Sequence, residues 1–448
     1  MTTTNRFAQL RAVAGLDFHV LLTLISRAWS AVAGAFTIFL LPHWLNSNEQ
    51  GYYFTFASIL ALQIFFELGL NQVVMQFVSH EVAHLTATKN GQLRGDEIIL
   101  GRLSSLAQLI KRWYRVAALL FASIAGLTGI FFFAEKGNLP ISLWLGIWLA
   151  LIVATACNLW FSPGLAVMEG CGKVGQIARL RLVQSLLGHG LLWMALLSGG
   201  GLWSAIAVPV TSVFCTGYWL KTHGNTLNWL ASRAINIKST LSWRNEIFPV
   251  QWRIALSWAS GYLIFNLFTP MIFARQGAAE AGRLGMALTL FSGVSTIGMS
   301  WVNAKAPNFT THISLKQKDE LNKLFIPVFL RSTLFIFLVS AGLVSIAIFF
   351  ERLGLSQMAR IASPDVIAVI GGVTLVNSMV FSMAIYMRAH REEPMLSQSI
   401  AVGLLTAIVV YFGSSFGVLT MMLLYLAVCA FVSLPWTIIL FFRYWSKS

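Results

Sequence analysis

Apolar segments long enough to cross a lipid bilayer recur along the whole of this chain, about twelve times in 448 residues. A spanning helix needs about 20 mostly apolar residues, because the hydrocarbon core is about 30 Å thick. The composition agrees, since 57% of the residues are hydrophobic and only 10% are charged. We therefore predict an all-α polytopic membrane protein with about twelve transmembrane helices. The predicted spans are residues 19–41, 52–77, 114–134, 141–167, 177–198, 202–220, 254–274, 282–303, 327–350, 365–387, 396–413 and 417–442.

Basic residues are distributed unevenly between alternate loops. Of the 31 Lys and Arg residues, 25 fall on the side that holds the N-terminus, 5 fall on the other side, and Arg27 lies inside the first span. Loops rich in Lys and Arg stay in the cytoplasm, so we expect both termini there and an even number of spans. The net charge of +15 is explained by these basic cytoplasmic loops. We therefore expect no nucleic-acid partner.

The two longest connections, residues 80–112 and 222–252, are both predicted to be cytoplasmic. The first ends in an amphipathic segment, residues 98–115, that we expect to lie on the inner leaflet. The second separates two halves with about six spans each, which predicts an N-terminal lobe (1–221), a cytoplasmic linker (222–251) and a C-terminal lobe (252–448). A shift of 231 residues lays Glu49-Gln50-Gly51 onto Glu280-Ala281-Gly282, a weak indication that the halves are parallel repeats.

Arg27 is the most informative single residue. A charge inside a span costs about 2.5–3.5 kcal/mol on insertion scales, and it normally faces a cavity or a partner. We interpret Arg27 as an anion-binding residue; the alternative is an arginine whose side chain extends to the cytoplasmic interface.

Glu67 is the one acidic residue deep in an apolar span, and Asn71 and Gln72 follow it. The three are candidates to line a polar interior. Glu67 is also a candidate site of ion coupling, because burial favours a protonated carboxyl group. The alternative is a purely structural ion pair.

Four further basic residues open or close predicted spans and are candidate substrate-binding residues: Arg179, Arg181, Arg253 and Lys305. Together they would surround the cytoplasmic mouth of a cavity and concentrate anionic substrates. Taken alone, each one is better explained as an interfacial anchor. His189, deeper in the fifth span, is interpreted as a packed core residue.

The sequence gives no indication of enzymatic chemistry. Gly170 to Gly175 matches G-x-G-x-x-G but joins two predicted helices, so we interpret it as a tight turn and expect no cofactor. No P-loop motif occurs, and the four cysteines are scattered without metal-ligand spacing. We therefore expect no catalytic residue and no metal site.

Four segments resemble the polysaccharide-flippase branch, which includes O-antigen flippases, of the multidrug/oligosaccharidyl-lipid/polysaccharide exporter superfamily. They are Asn48 to Tyr53 with Glu67 to Leu70; Glu169 to Lys173 with Arg179 to Arg181; Trp252 to Tyr262 with Ala281 to Met286, Trp301 and Lys305 to Pro307; and Arg388 to His390. The resemblance implies two six-helix lobes around a central cavity, working by alternating access in the bacterial inner membrane.

The implied substrate is an anionic lipid-linked glycan of the undecaprenyl-diphosphate type, with membrane lipid and glycan polymerase or export machinery as partners. An alternative is a cation-coupled multidrug antiporter of the same superfamily, which should have more acidic than basic cavity residues. A membrane-bound glycan polymerase is a further alternative, but it would need paired carboxylates or a large external loop.

Overall fold

A computed structural model of the chain describes residues 18–87, 93–223, 226–233, 241–354, 360–390 and 394–447. For residues 18–25, 27, 28, 31, 87 and 447 the backbone alone is described. The regular secondary structure of the described part is helical except for one short hairpin, in which β1 (Thr86–Ala87) pairs with β2 (Leu93–Arg94). The all-α prediction is confirmed.

The first half of the chain contains nine helices within the described residues. They are α1 (Phe18–Trp44), α2 (Ser47–Leu60), α3 (Ile64–Glu67), α4 (Leu70–Val82), α5 (Glu97–Lys136), α6 (Ile141–Gly170), α7 (Val174–Leu197), α8 (Ala207–His223) and α9 (Thr226–Ser232).

The second half contributes nine more helices within the described residues. They are α10 (Phe248–Phe265), α11 (Phe268–Gln276), α12 (Ala278–Gly298), α13 (Ser300–Ser314), α14 (Lys318–Arg352), α15 (Pro364–Arg388), α16 (Leu396–Gly413), α17 (Val418–Val428) and α18 (Leu434–Lys447). A single turn of π-helix, Trp243–Ile247, precedes α10.

The described helices account for the predicted number of spans. Nine segments of the described residues are long and apolar enough to cross a membrane, and two bent helix pairs raise this number to eleven. Helix α1 coincides with the predicted first span. The chain is therefore a multi-pass membrane protein with about twelve spans.

The two bent spans occupy equivalent positions in the two halves. Ser47–Glu67 and Leu70–Val82 meet at 46°, and Ala278–Gly298 and Ser300–Ser314 meet at 41°. The first arms, Ser47–Glu67 and Ala278–Gly298, begin 231 residues apart and end 231 residues apart. This is the shift that aligns Glu49 with Glu280, so the bends give structural support to the repeat.

The first bend is caused by two consecutive residues in the left-handed region. Leu68 has a φ of 52° and Gly69 a φ of 65°. Glycine adopts this conformation freely, but a leucine there is strained, because its Cβ approaches the neighbouring backbone. The second bend, at Met299, has ordinary helical angles.

The amphipathic segment 98–115 does not form a separate surface helix, so that prediction was wrong. It is the first part of α5, which runs without a break from Glu97 to Lys136. Its apolar positions, which include Leu103, Leu106 and Ile110, are buried inside the protein. The pattern predicted the apolar face correctly, but other protein segments cover that face instead of lipid.

The chain divides into two compact units. Unit 1 comprises residues 1–33, 63–128 and 146–255, and unit 2 comprises residues 34–62, 129–145 and 256–448. These units are bounded differently from the lobes 1–221 and 252–448, and the lobe division remains a prediction.

Candidate functional site

A chain of hydrogen bonds lies at the first bend, in unit 1. Glu67 is the last residue of α3, and its Oε1 accepts a hydrogen bond of 2.7 Å from Asn71 Nδ2. The Tyr114 hydroxyl, from α5, donates to Asn71 Oδ1 at 2.7 Å. The sequence predicted the polar character of Glu67 and Asn71 but not their link to Tyr114. No described ion pair includes Glu67. Its carboxyl group is instead hydrogen-bonded to the side-chain amide of Asn71.

The start of α10 packs against this bend. A Cβ on Gly69 would overlap the side chain of Ile254, so only glycine permits this approach. Arg253, the neighbour of Ile254, is exposed, and its guanidinium carbon lies 5.6 Å from the centroid of the Trp252 ring. A stacked guanidinium keeps its charge and its hydrogen-bond donors available, so Arg253 offers a positive group beside the bend.

Arg179 and Arg181 are both exposed on α7. Arg181 Nη2 lies 2.7 Å from Glu169 Oε1, at the end of α6. The turn between these helices contains the G-x-G-x-x-G segment, and Gly172 has a φ of +82°. The segment therefore connects two helices, as predicted. The Arg181 side chain is 59% exposed and that of Glu169 is 17% exposed, so an anion can reach the N–H groups of the guanidinium that Glu169 does not occupy.

The remaining predicted site residues are less closely connected. Gln72 is half-buried on α4, and Lys305 is exposed on α13 in unit 2. The backbone of Arg27 lies in α1, but its side chain falls outside the described residues. Helix α1 contacts α7 through Ser30 and Ser185, whose hydroxyl oxygens are 3.1 Å apart. Arg27 and Arg181 each precede these serines by about one turn, so the two arginines occupy similar levels on neighbouring helices.

The first arms of the two bent spans pack tightly against each other within unit 2. A Cβ on Gly51 of α2 would overlap the carbonyl oxygen of Ala278, and a Cβ on Gly282 would lie 2.8 Å from the Gly51 nitrogen. A Cβ on Gly285 would lie 2.5 Å from the Cβ of Phe54. We call Gly51, Gly282 and Gly285 the glycine seam. Because these three glycines have no side chains, the two helices approach closely, as membrane helices do where small residues face each other.

Polar contacts reinforce the glycine seam. The buried side chain of Gln50 donates from Nε2 to the Gly282 carbonyl oxygen at 3.1 Å, and it reaches Met286 Sδ at 3.3 Å. Arg360 Nη1 donates to the Leu45 carbonyl oxygen at 2.6 Å. The sequence analysis placed Gln50 and Gly282 in the two segments that it aligned with each other, but it did not predict that these segments touch.

The linker between the predicted lobes is bound to α5. Arg102 contacts Glu81 Oε1 through Nε at 3.1 Å and Glu246 Oε2 through Nη2 at 2.5 Å. Gln108 Nε2 donates to the carbonyl oxygens of Ala231 and Arg233, both at 3.1 Å. The sequence analysis used Arg102 only as one of the basic residues that predict the membrane orientation, because nothing in the sequence identifies its two partners.

Comparison with solved structures places this arrangement among known folds, whereas neither a protein-family model nor a curated protein matches the sequence. The lipid II flippase MurJ, in an inward closed conformation, is 11% identical over 94% of this chain and 86% of that chain, with a TM-score of 0.63. A multidrug resistance MATE family transporter of the MOP superfamily in its inward-facing conformation is 14% identical, over 94% of this chain and 96% of that one, with a TM-score of 0.56. A structure of such a transporter in its outward-facing conformation is 12% identical, covers 96% of this chain and 95% of that one, and has a TM-score of 0.52.

The chain has the fold of MOP superfamily transporters. The likeness extends over nearly the whole chain, and it confirms the superfamily resemblance at the level of the fold. The compared proteins are named as transporters and as a flippase, and their substrates differ from one another.

Proposed function

We propose that this protein is a transporter that flips or exports an anionic lipid-linked oligosaccharide or polysaccharide across the bacterial inner membrane by alternating access. The fold supports transport but is common to multidrug transporters and a lipid flippase. The positive charge at the candidate site therefore favours an anionic lipid-linked substrate over a cationic drug.

The observation that carries the proposal is the exposed positive charge in unit 1. Arg179 and Arg181 are exposed on α7, and Arg253 is exposed beside the first bend. The acidic candidate in this unit, Glu67, is half-buried and accepts a hydrogen bond from Asn71. Exposed guanidinium groups bind diphosphate well, because several N–H donors meet several oxygen acceptors. With both termini in the cytoplasm, these arginines would meet a lipid diphosphate entering from the inner leaflet.

Complementation of a deletion strain tests this function. We expect the deletion to abolish the surface glycan and to cause undecaprenyl-diphosphate-linked intermediates to accumulate. Complementation with Arg253→Gln should restore the polymer poorly, whereas Arg352→Gln, a control at the exposed far end of α14, should restore it fully. Unchanged surface glycan in the deletion strain would contradict the proposal.

A cation-coupled multidrug antiporter is the second candidate. The Glu67–Asn71–Tyr114 chain favours it, because a carboxyl group held at a bend is suited to bind and release a proton. Increased sensitivity of the deletion strain to cationic dyes, with normal glycan, would favour the antiporter. A glycan polymerase has less support, since the compared proteins are transporters and a flippase.

A further inference from the structure

Helix α7 carries a stripe of polar and aromatic side chains. Arg181, Ser185, His189 and Trp193 follow one another at intervals of four residues, which places them on one side of the helix. Exposed apolar residues, among them Leu187, Leu191 and Met194, occupy the other directions. We call these four residues together with Trp29 and Ser30 of α1 the α1/α7 stripe.

Direct contacts within unit 1 hold the α1/α7 stripe together. Besides the Ser30–Ser185 contact, Ser185 Oγ lies 3.3 Å from His189 Nδ1. The Trp29 and Trp193 ring centroids are 6.2 Å apart, and those of His189 and Trp193 are also 6.2 Å apart. Two helices thus present two indole rings, an imidazole and two hydroxyl groups in one place.

The depth of the stripe argues against a lipid-facing role. His189 lies 15 residues after the start of α7, about 22 Å along the helix, which corresponds to the interior of a bilayer. Hydroxyl and imidazole groups at this depth normally face a wet interior or a partner helix. Trp29, Ser185, His189 and Trp193 are half-buried and Ser30 is exposed, so the stripe is accessible without lying wholly on the surface.

The stripe also offers hydrogen-bonding groups. His189 Nδ1 lies 2.8 Å from the Ser185 carbonyl oxygen. A carbonyl only accepts, so Nδ1 carries a proton, and Nε2 is an acceptor when the imidazole is neutral. The buried Nε1–H of Trp29 has no acceptor among the described groups. Such a buried donor is unfavourable unless a water or a ligand accepts its hydrogen bond.

We propose that the α1/α7 stripe is a carbohydrate subsite, which contacts the sugars of the lipid-linked substrate while Arg181 meets the diphosphate. Sugars present C–H faces that stack on indole rings and hydroxyl groups that exchange hydrogen bonds with imidazole and indole N–H. The indole rings of Trp193 and Trp29 would stack on the C–H faces of the sugars. His189 Nε2 would accept a hydrogen bond from a sugar hydroxyl group. This inference rests on the proposed function and names the part of the substrate that these residues recognise.

Binding measurements on the purified full-length protein in detergent test the subsite. The probes are undecaprenyl diphosphate and the same lipid carrying an uncharged disaccharide. We expect the wild type to bind the disaccharide-linked lipid about tenfold more tightly, equivalent to about 1.4 kcal/mol. In Trp193→Leu the two affinities should become equal, with binding of undecaprenyl diphosphate unchanged. Trp193→Phe should retain part of the preference, because an aromatic face remains.

Controls separate this inference from the proposed function. Trp160→Leu removes an exposed tryptophan of α6 and should keep the full preference. His189→Gln provides a second variant should Trp193→Leu fail to fold, and it should reduce the preference. Equal wild-type affinities, or a preference that survives in the Trp193 and His189 variants, would overturn the subsite alone. Failure of the wild type to bind either lipid would contradict the proposed function as well.

Discussion

Single glycines determine how closely the two repeat helices approach. Gly51 leaves no room for a side chain against Ala278, so a methyl group there must push α2 and α12 apart. Overpacking of this kind costs about 1–3 kcal/mol. We expect Gly51→Ala to lower the thermal unfolding temperature of the protein in detergent.

A matched control for Gly51→Ala lies in the same helix pair. Gly293 of α12 has nothing within 4 Å of where its Cβ would be. Gly293→Ala should therefore leave the unfolding temperature unchanged or raise it slightly, because alanine favours the helix. Equal unfolding temperatures for Gly51→Ala and the wild type would show that the glycine seam is not tightly packed.

Cys171 lies in the turn between α6 and α7, where its environment alters its reactivity. Burial raises the pKa of the Cys171 thiol to about 11, and nearby Lys173 opposes that shift only partly. Because the thiolate is the reactive form, alkylation should accelerate about tenfold per pH unit and level off only near pH 11. A variant that keeps Cys171 as its sole cysteine, treated with iodoacetamide between pH 7 and 10, gives this profile. A plateau near pH 8.5 would contradict the assigned burial.

Among the elements, α5 is the one whose role differs most from the sequence prediction. Its apolar face was correctly located at residues such as Leu103, Leu106 and Ile110, since their spacing follows the helical period. The sequence does not say what covers such a face. Leu230 and Ile247 of the linker region are also buried, and Arg102 and Gln108 bind that region to α5. These contacts join residues more than 100 positions apart, so local patterns could not reveal them.

Arg102 is the residue that most directly joins the linker to α5. Arg102→Gln removes the charge facing Glu81 and Glu246, and it leaves two partly buried carboxylates without a cation. We expect backbone amides of residues 241–250 to exchange hydrogen at least several-fold faster, measured by mass spectrometry. Arg112→Gln, an exposed site on the same helix, should leave exchange unchanged. Identical exchange in both variants would mean that the Arg102 ion pairs do not hold the linker.

The candidate site was only partly predictable. Glu67 and Asn71 stood out because polar residues in an apolar span are rare, and the structure links them. The bend beside them was not foreseen, because a Leu-Gly pair inside a helical pattern is usually tolerated without a break. His189 was interpreted as a packed core residue, although its interval of four residues from Ser185 and Trp193 could have indicated a stripe.

For the molecule as a whole, the glycine seam joins segments from the two halves of the sequence. If the two halves move against each other, as in the proposed alternating access, we expect these contacts to break during each cycle. Gln50 Nε2 and Met286 Sδ are 3.3 Å apart, so these two side chains meet at their tips, and cysteines in their places can be joined by a short bifunctional methanethiosulfonate reagent. In a background without the native cysteines, we expect cross-linking of Gln50→Cys/Met286→Cys to stop transport and reduction to restore it. Full transport by the cross-linked protein would show that α2 and α12 need not separate.

The most direct test of the central claim is reconstitution of the purified protein in liposomes with a fluorescent undecaprenyl-diphosphate oligosaccharide. Movement of the label between leaflets is followed by its quenching with an impermeant reagent. We expect the wild type to make the inner-leaflet label accessible, and Arg253→Gln to slow this movement about tenfold or more. No movement of the lipid-linked glycan, with proton-driven transport of a cationic dye by the same liposomes, would contradict the account and establish an antiporter.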